Sequence, residues 1–220
     1  MGPDLGKIFS ALGKELSTLS AIYDDCIFLF GDGSENRVAL LNGAAPAFFG
    51  RAQRMFESEL MLGISRITDP VDSGVNKDNL TVLRLGQMIL TLKPLHDDEV
   101  RTKISAAKAA SEFAKEWRNR WLAHRTLDLS IAAPTATPLM IATYFKIDIA
   151  LTALDEVLQT VDKAFGGNGN GYRNLPGSSS GGSWSLIRYL KRGFSANEQA
   201  NARISGGNAT EEDIAVLKNL

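Results

Sequence analysis

Nine consecutive residues, Trp117-Arg118-Asn119-Arg120-Trp121-Leu122-Ala123-His124-Arg125, bring together an arginine, an amide and one of only two histidines in the chain. A guanidinium is planar and always ionised, so Arg118 can hold a phosphate through two parallel hydrogen bonds. Histidine is the side chain whose ordinary pKa suits proton transfer near neutral pH. The set is sufficient for metal-free cleavage of RNA, with the 2′-hydroxyl as nucleophile, His124 moving protons and Arg118 steadying charge on phosphorus. Each residue also has a plainer use. A histidine near a helix C-terminus is favoured by the helix dipole. Arg118 could pair with Asp128 or Glu116, and exposed pairs of that kind contribute about 0–1 kcal/mol. Trp117 and Trp121 fall on an apolar stripe and read as core or dimer-interface residues before base-stacking platforms. Arg66 and Asp69 could support the site, but read more simply as an ion pair closing a helix.

The elements that must position this run are helices. Over residues 4–30, Leu5, Ile8, Phe9, Leu12, Leu16, Leu19, Ile22, Tyr23, Cys26 and Ile27 recur mostly in steps of three and four, one buried helical stripe. Gly31-Asp32-Gly33 ends it. A short helical segment over 36–41 comes next, and Asn42-Gly43 is expected to turn the chain. A second long helix starts near Pro46 and runs to about Thr68, where Asp69-Pro70 stops it. Asn79 is expected to cap a short helix over 80–92, and Pro94 to break it. Asp97 or Asp98 opens the helix that carries the motif, with Val100, Ile104, Ala107, Phe113, Ala114, Trp117 and Trp121 in helical repeat. Thr135 or Thr137 is expected to start the last long helix, with Pro138 in its first turn, ending near Phe165.

No segment alternates like a strand. The pattern predicts an all-α four-helix bundle over 1–165 with an added short helix. Residues 166–182 are mostly Gly, Ser and Asn, a composition of flexible linkers. A short amphipathic helix over 183–192 and a capped final helix over 210–220 are expected either to dock on the bundle or on a partner chain, or to form a partly mobile tail.

Composition narrows the function classes. With 220 residues, 44% hydrophobic and 22% charged, the chain reads as globular. Its net charge of −1 argues against a general nucleic-acid coating protein while leaving room for a local basic site. Cys26 is the only cysteine and lies on an apolar stripe, so it reads as core in a reducing cytoplasm. Two dispersed histidines and one cysteine do not make a zinc site, no phosphate loop precedes a Gly-Lys pair, and no clustered acidic motif supports a magnesium nuclease. No metal or cofactor is therefore expected. Lys146 and Asp148 interrupt the most apolar stretch, so no membrane span is expected, and Asp4 stands where an export signal would carry positive charge.

The motif Arg118-Asn119-x4-His124, near the end of the third long helix of an all-helical chain, resembles the HEPN superfamily. With Leu62-Gly63-Ile64-Ser65-Arg66-Ile67-Thr68-Asp69 and Asn79-Leu80-Thr81-Val82-Leu83, the chain is similar to the AbiU-type (abortive-infection) HEPN-like proteins over about residues 1–192. The resemblance implies a HEPN-like up-down bundle and a metal-independent endoribonuclease of toxin or phage-defence type. In that reading His124 is general base or acid, Arg118 binds the scissile phosphate, and Asn119 orients one or the other. Arg120 and Arg125 would grip flanking phosphates of the RNA, with Lys115 extending the basic face.

Geometry adds a requirement. Six residues along an ideal helix give about 9 Å of rise, and at roughly 100° per residue Arg118 and His124 sit about 120° apart. Both reach one phosphate only if the helix end distorts or two copies face each other. HEPN sites are generally built at a two-fold interface, so the resemblance implies a homodimer, and an antitoxin protein is a further possible partner. The alternative is a catalytically idle HEPN-type module that binds nucleotides, RNA or a protein through the same cleft. A purely structural helical dimer is a third.

Overall fold

The apolar stripe that begins at Leu5 folds as helix α1 (Pro3–Phe30), burying Leu5, Phe9, Leu12, Leu16, Leu19 and Cys26. The structure is a computed structural model and describes residues 1–31, 33, 35–72, 78–123, 126–133, 135–173 and 181–218. Helix α2 (Glu35–Ala44) runs straight through Asn42-Gly43, where the sequence pattern predicts a turn. Buried Leu41 anchors it, and Ala45 N donates to Leu41 O (2.9 Å), carrying the helical bonding up to Pro46. Helix α3 (Pro46–Ile67) ends as the Asp69-Pro70 pair requires. Helix α4 (Val82–Leu92) is capped by Thr81, whose Oγ1 accepts from Arg84 N, and not by Asn79. Asn79 instead donates through its side-chain amide to Pro70 O (2.9 Å), closing the loop after α3.

A 3-10 turn (Pro94–His96) leads into α5 (Asp97–Ala110), whose first turn Asp97, Asp98 and Glu99 suit the positive end of the dipole. The expected single helix is interrupted at Ser111, whose hydroxyl donates back to Ala107 O (2.7 Å), before α6 (Glu112–Trp117) resumes. After a short helix α7 (Leu127–Ser130), helix α8 (Tyr144–Ala164) completes the set. It begins at the cap Thr143, later than the expected Thr135 or Thr137, because Glu116 and Arg120 bond to the backbone at 137–140 and hold it out of helix. Helices α9 (Ser183–Ser205) and α10 (Glu211–Lys218) come last. Helix α9 does not stop near Arg192 as its amphipathic pattern suggests; it passes through Gly193 and continues to bury Ala200. Among the described residues no strand is present, only an isolated bridge between Asp72 and Asp78. The fold is all-α.

The chain forms two compact units. One comprises Met1–Ile27 and Ala52–Gly177, the other Phe28–Arg51 and Ser178–Leu220. In the first, α5 packs along α8, and α4 packs on α5. Helices α1 and α3 approach closely at Gly63, where a Cβ would overlap Leu19 Cδ2 and force that side chain to move. Four long helical stretches with a short fifth thus enclose one core, the HEPN-like arrangement anticipated from sequence.

The start of the Gly-rich stretch is not a flexible linker. Gly169 N donates to Asp162 (2.9 Å), Tyr172 N to buried Asp155 (2.6 Å), and Ser17 to Tyr172 O (3.0 Å). The Tyr172 ring meets Phe9 edge-on at 5.7 Å and occupies the space that a Cβ on Gly13 would need. Carboxylates of α8 supply the partners that low apolar content cannot. Residues 174–180, the rest of the expected linker, lie outside the described residues. In the second unit α2 and α10 both pack on α9. Thr210 and Asp213 form a reciprocal cap at the start of α10, and Arg203 pairs with Asp213.

Candidate active site

Helix α6 does not end in an ordinary α-turn. Over Arg118–Leu122 it widens to a π-turn, with Ala123 N donating to Arg118 O at 2.8 Å across five residues. Thr126 N then reaches back to Arg120 O (3.1 Å). Wide turns of this kind are uncommon and concentrate at functional sites, because they require compensating contacts. Here the compensation comes from side chains at 116, 117 and 120, all turned toward the stretch 137–140. Glu116 accepts from Met140 N (2.8 Å), and Trp117 Nε1 donates to Met140 O (2.8 Å). Arg120 pairs with Glu116 (2.6 Å) and donates to Thr137 O and Pro138 O. The helix end distorts, one of the two outcomes the spacing allowed.

Arg118 faces the opposite partner. Its Nη1 donates to both carboxylate oxygens of Asp69, just beyond the end of α3, and its Nε donates to Asn119 Oδ1 (3.0 Å). The pair is about four-fifths covered, with 23% of the Arg118 side chain and 19% of the Asp69 side chain exposed. Nη2 is the guanidinium nitrogen with no partner among the described residues. A guanidinium gripped at Nη1 and Nε has its plane fixed, so its remaining N–H groups point in one direction. Neither Asp128 nor Glu116 pairs with it, Glu116 being taken by Arg120.

The expected Arg66 and Asp69 ion pair does not form. Arg66 bridges Glu15 (2.9 Å) and Glu59 (2.8 Å), tying α1 to α3, and leaves Asp69 to Arg118. Asp69 is therefore the partner of the candidate residue Arg118 that sequence reasoning undervalues. Its signal is its place just before Pro70, where a helix stops and an acid is free to turn inward. Lys115 lies near Glu112 at 3.7 Å on an exposed face, and Asn119 is exposed. Arg120 holds the 137–140 wall through Glu116 and two carbonyls, and does not present a free charge. His124 and Arg125 lie outside the described residues.

A second polar cluster in this unit is structural. Cys26 is fully buried and donates to Tyr144 (3.7 Å), while Tyr144 and Gln53 both donate to Glu57 (3.1 Å each). Burial pushes the Cys26 thiol up to about 11 and raises Tyr144 as well, so both stay protonated at neutral pH. Among the described residues no group of three or more His, Cys, Asp or Glu side chains is placed to hold a metal ion. Among them, too, no helix is long and apolar enough to cross a membrane.

The all-α bundle, with Arg118-Asn119 at the end of its motif helix, fits the HEPN class that the sequence resembles. Within that class, the family model HEPN_AbiU2, described as AbiU2, matches residues 2–183, and the chain belongs to this family. Among curated proteins and among solved structures nothing matches.

Proposed function

We propose that the chain is a metal-independent endoribonuclease of the abortive-infection type. The observation that carries the reading is Arg118, locked by Asp69 and Asn119 at a distorted helix end, with Nη2 left without a partner among the described residues. A fixed donor aimed at a phosphate is the preorganised electrostatic element that phosphoryl chemistry needs. His124 takes the proton of the 2′-hydroxyl as the 2′-oxygen attacks the adjacent phosphorus. The bond from phosphorus to the 5′-oxygen breaks, and that oxygen receives a proton from His124 of the same or a second copy. The products are a 2′,3′-cyclic phosphate and a 5′-hydroxyl, with no water consumed in this step. Arg118 holds the non-bridging oxygens while charge builds on them. Arg125 and Lys115 add positive charge for flanking phosphates, and Arg120 braces the wall.

The site belongs to a homodimer in this reading. Support comes from the elements just past the motif, which leave Leu127, Ile131, Ile141 and Phe145 exposed. Large apolar side chains exposed on the segments that follow the motif suit a self-complementary interface. Cleavage of a labelled RNA in EDTA by wild type, Arg118→Ala and His124→Ala, with analytical ultracentrifugation of each, tests both statements. Undiminished cleavage by His124→Ala ends the catalytic assignment, and a monomeric active enzyme ends the dimeric one.

A second reading is favoured by one observation. The Asp69 carboxylate neutralises Arg118, as befits an idle module that binds nucleotide, RNA or an antitoxin protein without cutting. RNA binding without cleavage in the same assay selects it.

A further inference from the structure

The second unit carries a groove that the proposed chemistry does not use. It is bounded by Phe28, Asn36 and Arg37 on one side and by Trp184, Arg188 and Lys191 of α9 on the other, and encloses about 470 Å³. Trp184 and Tyr189 are 60% and 61% exposed although both are large aromatics. Arg188 lies over both rings, 5.2 Å from the Trp184 centroid and 5.3 Å from that of Tyr189. Arg37 stacks on Phe28 at 4.5 Å and donates through Nε to Phe28 O (2.5 Å), leaving its terminal nitrogens without a partner among the described residues. Among those residues no carboxylate pairs with Arg37, Arg188 or Lys191. Exposed cations are usually accompanied by a carboxylate or spread apart. Here three of them converge, and two are interleaved with rings.

That combination selects its ligand. Cations that no carboxylate among the described residues neutralises call for an anion, and exposed aromatic faces call for a flat apolar group between the charges. A polyanion that carries a π-face beside each charge is a single-stranded nucleic acid. A volume of about 470 Å³ lies in the range of small-ligand sites, roughly 300–1,000 Å³, and so suits one nucleotide of a longer strand. The family match ends at residue 183, one residue before Trp184. The ring and two of the cations therefore come from beyond the matched residues. We infer that this groove is a single-stranded RNA-binding site in its own right, with one base stacked on Trp184 and its flanking phosphates held by Arg37, Arg188 and Lys191.

Fluorescence anisotropy of a labelled oligouridine of about 10 nucleotides, within the usual range of roughly 4–16 for such sites, tests the assignment. The full chain is used with His124→Ala, so the probe stays intact. Trp184→Leu is expected to weaken binding about 5- to 100-fold, and Trp184→Phe to restore most of it. Arg188→Ala with Lys191→Ala is expected to lower the slope of log affinity against log salt by about 1.4, roughly 0.7 for each lost contact on a single strand. Circular dichroism of each variant shows whether α9 is intact, and the Phe rescue separates stacking from misfolding. Unchanged affinity and salt slope in these variants overturn the inference. So does loss of binding to phosphatidylserine vesicles with RNA binding unaffected. Cleavage by the otherwise wild-type chain is scored separately. Groove-dependent binding without cleavage leaves this site standing and defeats the ribonuclease reading, whereas cleavage with groove-independent binding does the reverse.

Discussion

Arg118 and Arg188 show two ways of keeping an arginine near a helix surface. Arg118 is mostly covered and held by a carboxylate and an amide, so its direction is fixed and its net charge largely cancelled. Arg188 lies against two exposed rings with its charge uncancelled by any carboxylate among the described residues. The first arrangement sacrifices attraction for orientation, which matters when charge must be met at one point in a transition state. The second keeps attraction and accepts any phosphate, which matters for affinity and makes it depend on salt. The difference separates a site suited to chemistry from one suited to capture.

The sharpest way to break this contrast is to remove each half and look for a crossed effect. Arg118→Ala or His124→Ala should lower RNA cleavage about 10²- to 10⁴-fold while leaving oligouridine affinity unchanged. Arg118→Lys should fail almost as badly, because one ammonium cannot reproduce the guanidinium plane that Asp69 and Asn119 set. A loss of affinity equal to the loss of cleavage would show that Arg118 only captures, and the contrast would collapse.

Asp69 offers a finer cut. As a positioning residue it should lower kcat about 10- to 100-fold on replacement by Ala, the penalty of a roughly 1 Å misplacement, with KM little changed and partial rescue by Asp69→Glu. Single-turnover cleavage measures the split. A variant that cuts faster than wild type would show that Asp69 masks Arg118, and its role would be inhibition.

Much of this is legible in the chain itself. The helices are, because α1 carries apolar residues in steps of three and four and buries most of those so marked, Leu5, Phe9, Leu12, Leu16, Leu19 and Cys26 among them, while Ile8, Ile22, Tyr23 and Ile27 stay part-covered. The family resemblance is, because Arg118, Asn119 and His124 stand together near a helix end. What escapes depends on partners far apart in the chain. The pairing of Asp69 with Arg118 spans 49 residues, and the late start of α8 depends on Glu116, Trp117 and Arg120 holding 137–140 by its backbone. No local pattern shows either. Residues 166–173 mislead for a related reason. Composition reports how little apolar surface they have, but not that Asp155 and Asp162 wait on α8 to bind their amides.

That stretch allows a test of whether the two units respond separately. Gly13→Ala places a methyl about where the Tyr172 ring lies, an overpacking expected to cost roughly 1–3 kcal/mol. Amide exchange should accelerate at 169–173 and in the adjoining part of α1. Protection in α9 and α10 should stay as it was. Equal acceleration in both units would show that they unfold together, and a contrast drawn between their arginines would then need to allow for shared stability.

The smallest effect concerns the second unit alone and is read by pH. Hydrogen bonds from Arg203, together with the backbone and side chain of Thr210, hold the Asp213 carboxyl well below the usual carboxylate range. In the unfolded chain the same group titrates near 4. A carboxyl whose folded pKa is depressed stabilises the fold fully above the unfolded value, and that stabilisation fades as pH falls through it toward the folded one. The junction of α9 and α10 should therefore be insensitive to pH between about 7 and 5, and should loosen progressively below about 4. Hydrogen exchange at 210–218, corrected for the intrinsic pH dependence of exchange, measures it. Asp213→Asn keeps the shape of the cap while removing the titration, so its protection should be lower at neutral pH and flat in this window. If the wild-type protection is flat as well, the Arg203 and Asp213 pair contributes nothing, and α10 is held by its packing on α9 and the Thr210 hydroxyl alone.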